Sequence, residues 1–166
     1  MAGKHDTVTA QTPNYSLKEK LGDDVNIKDA LTDEAIAGAE NIIQQTQNDF
    51  FKDAKNDLEE METFYEAAVK NPEADAKPVK KIEQRAFSLK GQAETLGFDL
   101  LSHACKSLYD FCSKHFKNGD EEQLIVIRKH LDTLKVIIKE EMRGDGGKTG
   151  SALIESLGLL TKKYST

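Results

Sequence analysis

The sequence predicts an all-α protein: an antiparallel up-down four-helix bundle with one additional helix at its C-terminal end. Three observations predict it. Apolar residues recur in steps of three and four over most of the chain beyond residue 31. The segments marked in this way are separated by short connections built from Gly, Asn, Asp and Pro. No stretch shows the alternation of a strand, and no internal repeat competes. Short links between successive amphipathic helices favour antiparallel neighbours, which gives the up-down order. At 166 residues the chain suits one domain with a proper core, and 38% hydrophobic against 31% charged residues places it among folded rather than disordered chains.

Residues 1 to 30 are polar, and Pro13, Gly22, Asp23 and Asp24 interrupt any apolar period. This segment is read as a flexible arm ahead of a bundle over residues 31–166. Thr32 is placed to cap a first helix whose opening turn carries Asp33 and Glu34 at the positive end of the helix dipole. Its stripe runs through Ile36, Ala39, Ile43, Phe50, Ala54, Met61, Tyr65 and Ala68 as far as Asn71-Pro72, with room for a break at Gly38 or between Gln44 and Asp49. Asn71 to Pro78 is a linker, and Pro78 suits the first turn of the second helix.

The second stripe is Val79, Ile82, Ala86, Leu89, Ala93 and Leu96, stopped by Gly97. Phe98, Leu101, Cys105, Leu108 and Cys112 mark a third helix running to about Lys117. A tight turn, Lys117-Asn118-Gly119-Asp120, follows, with Asp120 as the next cap. Leu124, Ile127, Leu131, Leu134, Ile138 and Met142 carry the fourth helix. Gly144 to Gly147 breaks it before a shorter fifth helix with Leu153, Leu157, Leu160 and Tyr164.

Several classes of function are disfavoured. A formal charge of −6 with no basic stripe repels a phosphate backbone, so no nucleic-acid partner is expected. The first twenty residues hold no apolar leader core, and no later run is long and uncharged enough to span a bilayer, so the expectation is a cytoplasmic protein with no membrane partner. Cys105 and Cys112 lie on an apolar stripe and are read as buried, reduced thiols. Zinc is opposed by helix geometry, which turns His103 about 200° away from Cys105. A di-iron centre needs Glu three residues before a His, and none of the four histidines has it. Gly144 to Thr149 ends like a phosphate loop, yet it lacks the leading glycine and a preceding strand. No metal and no cofactor are expected.

The informative segment is Arg85 to Gly97. At about 100° per residue, Phe87 lies off the Ala86 stripe and shares a side with Lys80, Glu83, Lys90 and Glu94. A large aromatic is thus predicted on a polar face; the competing reading is a ring packed at the edge of the core. Gly91 sits inside a helix, where it is about 1 kcal/mol worse than Ala, and such a glycine marks close approach of another backbone or a partner. Lys90 beside it is either a point charge for a phosphate or carboxylate, or a solvated lysine next to a packing glycine.

Ala86-Phe87-Ser88-Leu89-Lys90-Gly91, with Gly97 six residues on, resembles the core motif of bacterial histidine-phosphotransfer (HPt) domains, Ala-His-x-Leu-Lys-Gly followed by Gly. Every fixed position matches except the histidine. The resemblance is sharp over Ile82 to Leu101 and architectural elsewhere. It implies a bundle that is not itself an enzyme: in the family the histidine accepts a phosphoryl group from one receiver-domain aspartate and passes it to another. It also implies that Lys90 lies near the phosphoryl group, that Gly91 leaves room for the receiver, and that Ala86, Leu89 and Gly97 pack. Phe87 stands at the acceptor position, and a phenyl ring has no lone pair with which to attack phosphorus.

The resulting expectation is a non-catalytic pseudo-phosphotransfer domain that binds a receiver domain or sensor histidine kinase without relaying phosphate. Its contact residues would be Phe87, Lys90, Gly91, Lys80, Glu83 and Glu94. Two alternatives stand beside it. One is an active phosphorelay protein using another histidine such as His103, with Ser88, His115 and His130 having weaker contexts. The other is a structural bundle that homodimerises through the Phe87 patch.

Overall fold

A computed structural model describes residues 32–73 and 75–165, and the expected N-terminal arm lies outside them. The described residues form five helices: α1 (Asp33–Lys70), α2 (Lys77–Thr95), α3 (Asp99–Lys114), α4 (Glu121–Lys139) and α5 (Gly147–Tyr164). No strand occurs among them. The chain divides into two compact units, Met1–Ile43 and Gln44–Thr166.

In the first unit the Ala35 N–H donates to Thr32 Oγ1 at 3.2 Å, the cap expected from the sequence. Ile36, Ile42 and Ile43 are exposed. The stripe expected to bury Ile36, Ala39 and Ile43 is therefore corrected: periodicity identifies a helix face, but burial needs something packed on it. Neither Gly38 nor the polar run Gln44 to Asp49 breaks α1.

In the second unit the core is one apolar cluster. Phe50, Phe51, Ala54, Leu58, Met61 and Ala68 supply it from α1, and Val79, Ile82, Ala86, Leu89 and Ala93 from α2. The stripes of α3 and α4 complete it, including both cysteines. Burial pushes both thiols far above the ordinary range, so neither ionises. α5 buries only Gly150 and Leu157 fully, with Leu153, Leu160 and Tyr164 partly covered.

The link between α2 and α3 fixes the geometry of the later site. Gly97 adopts φ +77°, which an L side chain resists. The Phe98 N–H then reaches Ala93 O at 2.9 Å and the Gly97 N–H reaches Glu94 O at 3.3 Å, a Schellman closure of α2. Phe98 swings into the core, stacked on Phe50 at 5.0 Å between centroids and tilted against Phe51 at 4.7 Å. The end of α2 is thereby anchored to α1.

Asp120 caps α4 as expected, accepting from the Gln123 N–H at 3.0 Å. Two helix ends differ from the sequence reading. α3 stops at Lys114 rather than Lys117. α4 stops at Lys139 rather than continuing through Met142, because Glu141 takes φ +47° and the Met142 N–H closes onto Ile137 O at 3.0 Å. The following loop is a packed connection: the Leu100 N–H donates to Gly144 O at 2.8 Å, and a Cβ on Gly150 would collide with Asp145 O.

Candidate functional site: the outer face of α2

Five buried residues, Val79, Ile82, Ala86, Leu89 and Ala93, fix the rotation of α2 about its axis. Phe87 is turned outward by that rotation and is 57% exposed. Its ring leans on Tyr109 of α3, with centroids 5.2 Å apart and planes at 47°. The aromatic predicted on a polar face is thus there, flanked rather than covered. Tyr109 was not among the residues expected at this face. It follows Leu108 of the α3 stripe, and its meeting with Phe87 depends on the register of two helices, which periodicity within each does not carry.

The charged residues around the ring are tied to one another. Lys80 donates to Glu83 Oε1 at 2.7 Å, and that hydrogen bond holds the lysine above its usual range. Lys90 pairs with Glu94 at 3.0 Å, and its side chain is 28% exposed. Glu83 requires a correction: only 8% of it is exposed, so it supports Lys80 from beneath instead of presenting a contact surface. Its position, four residues after Val79 and three before Ala86, sets it beside the buried stripe of α2.

Gly91 resolves one of the sequence alternatives. A Cβ placed on it would meet nothing within 4 Å, so no packing inside the described residues requires glycine there. On the α1 side of α2 the face is bounded by Arg85, paired with Asp57 at 3.5 Å and Glu60 at 2.5 Å, and by Lys81 over the Phe64 ring at 5.0 Å. Ser88 is exposed and accepts from Gln92 Nε2 at 3.2 Å.

The histidines lie elsewhere. His103 is exposed on α3, six residues before Tyr109 and hence about 120° around the helix from it. His115 ends α3 with its ring 6.1 Å from that of Phe111. His130, already the weaker candidate beside His103 as an alternative phosphoacceptor, is fully buried. Its Nδ1 lies 2.8 Å from Val126 O and its Nε2 2.9 Å from Ser107 Oγ. Because a carbonyl only accepts, Nδ1 carries the proton and Nε2 accepts from the serine hydroxyl. Burial holds this imidazole below its ordinary pKa, against the opposing pull of the Val126 carbonyl.

The outer face of α2 thus carries an exposed Phe87 leaning on a half-buried Tyr109, a glycine open to solvent, and two lysines paired with glutamates of their own helix. A family model described as the Hpt domain matches residues 45–136, more than half of the chain. The chain belongs to the Hpt domain family, whose members act in two-component phosphotransfer and engage receiver domains and histidine kinases. No match was found among curated proteins or among solved structures. Among the described residues no helix is long and apolar enough to cross a membrane.

Proposed function

We propose that this protein is a pseudo-phosphotransfer domain, which binds a receiver domain or a sensor histidine kinase and passes no phosphate. The observation that carries the reading is Phe87 itself: the residue at the acceptor position of the motif is an exposed phenyl ring with no lone pair. The protein then acts by occupancy. Phe87, backed by Tyr109, is the apolar anchor, and Gly91 lets the partner's backbone come close. Lys90, released from Glu94, offers its ammonium to the carboxylates of a receiver pocket. Lys80 and Glu94 lie on the rim, where exposed charges add specificity more than affinity.

The test is a titration of receiver domains from the same cell against the wild type and Phe87→Asp. Loss of binding in the variant supports the reading, and equal binding removes Phe87 from the interface. Incubation of the wild type with a phosphorylated receiver is the companion experiment. Acid-labile label retained on the chain would establish relay through another histidine.

A further inference from the structure

A groove of about 570 Å3 lies between α3 and α5, and no residue of α2 lines it. Its walls bring together His103, Lys106 and Ser107 from α3 with Gly158, Thr161 and Lys162 from α5. Neither the docking reading nor the packing of the core accounts for the chemistry placed there.

Three observations describe what this groove lacks. The charge is unbalanced: its single carboxylate, Asp110, is held between Lys106 and Lys114, whose hydrogen bonds outweigh burial and keep it below the usual range. Lys162 and His103 have no hydrogen-bond or ion-pair partner among the described residues. A local excess of positive charge thus sits on a chain of net charge −6. The hydroxyls are also unbalanced. Beneath the groove wall, Thr161 Oγ1 is the one buried side-chain polar atom among the described residues with no hydrogen-bond partner, a condition native proteins rarely leave uncompensated. Ser107 has spent its proton on His130 Nε2, so toward the groove its oxygen can only accept. The wall is bare as well, since a Cβ on Gly158 would meet nothing within 4 Å and no internal contact calls for glycine there.

From this pattern we propose that the groove between α3 and α5 is a second binding site, for a small organic anion that carries a hydroxyl donor. Its carboxylate or phosphate monoester is held by Lys162 and His103. Its hydroxyl donates to Ser107 Oγ, and a χ1 rotation of Thr161, one of the two that a helical threonine readily adopts, brings Oγ1 to the anionic oxygens. Gly158 leaves space for the ligand's carbon skeleton beside Ile154. The neutral state of His130 is part of the arrangement, because an imidazolium would donate from Nε2 and reverse the polarity of Ser107.

The experiment is an amide NMR titration of the full chain with glycerol 3-phosphate and, separately, with malate, against sodium chloride at matched ionic strength. Saturable shifts at Ser107, Gly158 and Lys162, with Kd of about 1 mM or tighter, are expected for at least one of the two. Which one saturates tells whether phosphate or carboxylate is preferred. Lys162→Gln should weaken binding at least about fivefold, and Gly158→Leu, which fills the groove from an exposed helix position, should abolish it while melting no lower than the wild type. Absence of saturation up to about 10 mM, shifts centred on Gly91 rather than Gly158, or affinity unaffected by both substitutions would each overturn the proposal.

Discussion

The Phe87 ring rests against Tyr109 of the neighbouring helix, centroid to centroid at 5.2 Å, while more than half of its surface stays open to solvent. A ring held from one side is an anchor with a fixed direction, since the contact limits its rotamers without using its outer face. Truncation should separate stability from recognition. Phe87→Ala is expected to shift unfolding free energy by less than about 1 kcal/mol and to weaken binding of the receiver at least about thirtyfold, the level of an interface hot spot. Tyr109→Ala should weaken it by a smaller factor, through loss of the backing. Urea unfolding and calorimetric titration of the same variants give both numbers.

Gly91 makes a sharper prediction, because its two roles oppose each other. In the isolated protein a methyl group there meets nothing, so Gly91→Ala should stabilise α2 by about 1 kcal/mol through helix propensity. A larger side chain should do little harm to the fold and much to docking. Gly91→Arg, with a helix propensity close to that of Ala, is expected to melt no lower than the wild type and to lose measurable binding to a receiver. If Gly91→Arg binds as well as the wild type, the glycine is not at the interface.

The two ends of α2 and α4 form a matched pair. Both close with the next residues looping back, yet α2 uses Gly97 at φ +77° and α4 uses Glu141 at φ +47°. The left-handed conformation is unfavourable by about 1–2 kcal/mol for a residue with a Cβ. Glu141 has only a 3.9 Å ion pair with Lys55 as compensation, exposed on both sides. Glu141→Gly should therefore raise stability by about 1 kcal/mol, and Gly97→Ala should lower it by a similar amount, read as opposite shifts in the denaturation midpoint.

That pair also shows what the sequence could and could not disclose. Gly97 announces a stop by its residue type, and the structure puts one there. Glu141 announces nothing, so periodicity carried α4 three residues too far, to Met142. The rotation of α2, and with it the exposure of Phe87, was legible because five apolar positions define one face. What could not be read was everything that depends on how one helix sits against another: Tyr109 under Phe87, Glu83 drawn beneath Lys80, and His130 sealed in the core. Ile36 and Ile43 failed for the same reason, being periodic yet exposed.

His130 makes stability depend on pH. Its imidazole is neutral in the fold, with a pKa depressed by burial below the ordinary value of about 6.5 that the unfolded chain restores. Below that ordinary value the unfolded chain binds a proton that the folded chain refuses, so protonation favours unfolding. The contribution is fully present above about pH 6.5 and is lost progressively as pH falls toward the folded-state value. His130→Gln should flatten this part of the curve, while Ser107→Ala, which leaves Nε2 without its donor, should lower stability at neutral pH by about 1–3 kcal/mol. Melting curves from pH 8 to about pH 5 on the three proteins make the comparison.

The strongest consequence of the proposed assignment of Phe87 to the acceptor position is that phosphotransfer chemistry should be recoverable there. Phe87→His places an imidazole on an exposed turn of α2, with Lys90 three residues on and Gly91 open beside it. Attack by the ring nitrogen on a receiver's aspartyl phosphate breaks the aspartyl O–P bond and forms an N–P bond, with the ring proton passing to solvent. Nothing else at the face needs to change if docking is intact, since the Lys90–Glu94 pair can open at small expense when the lysine is partly exposed. The variant is expected to acquire acid-labile, base-stable label from a phosphorylated receiver that the wild type binds, and the wild type to acquire none. Added to Phe87→His, Gly91→Arg should abolish the label by preventing approach, which distinguishes transfer within the docked complex from chemical phosphorylation in solution. A Phe87→His protein that binds the receiver yet stays unlabelled would show that this face docks its partner in an orientation other than the one the motif implies.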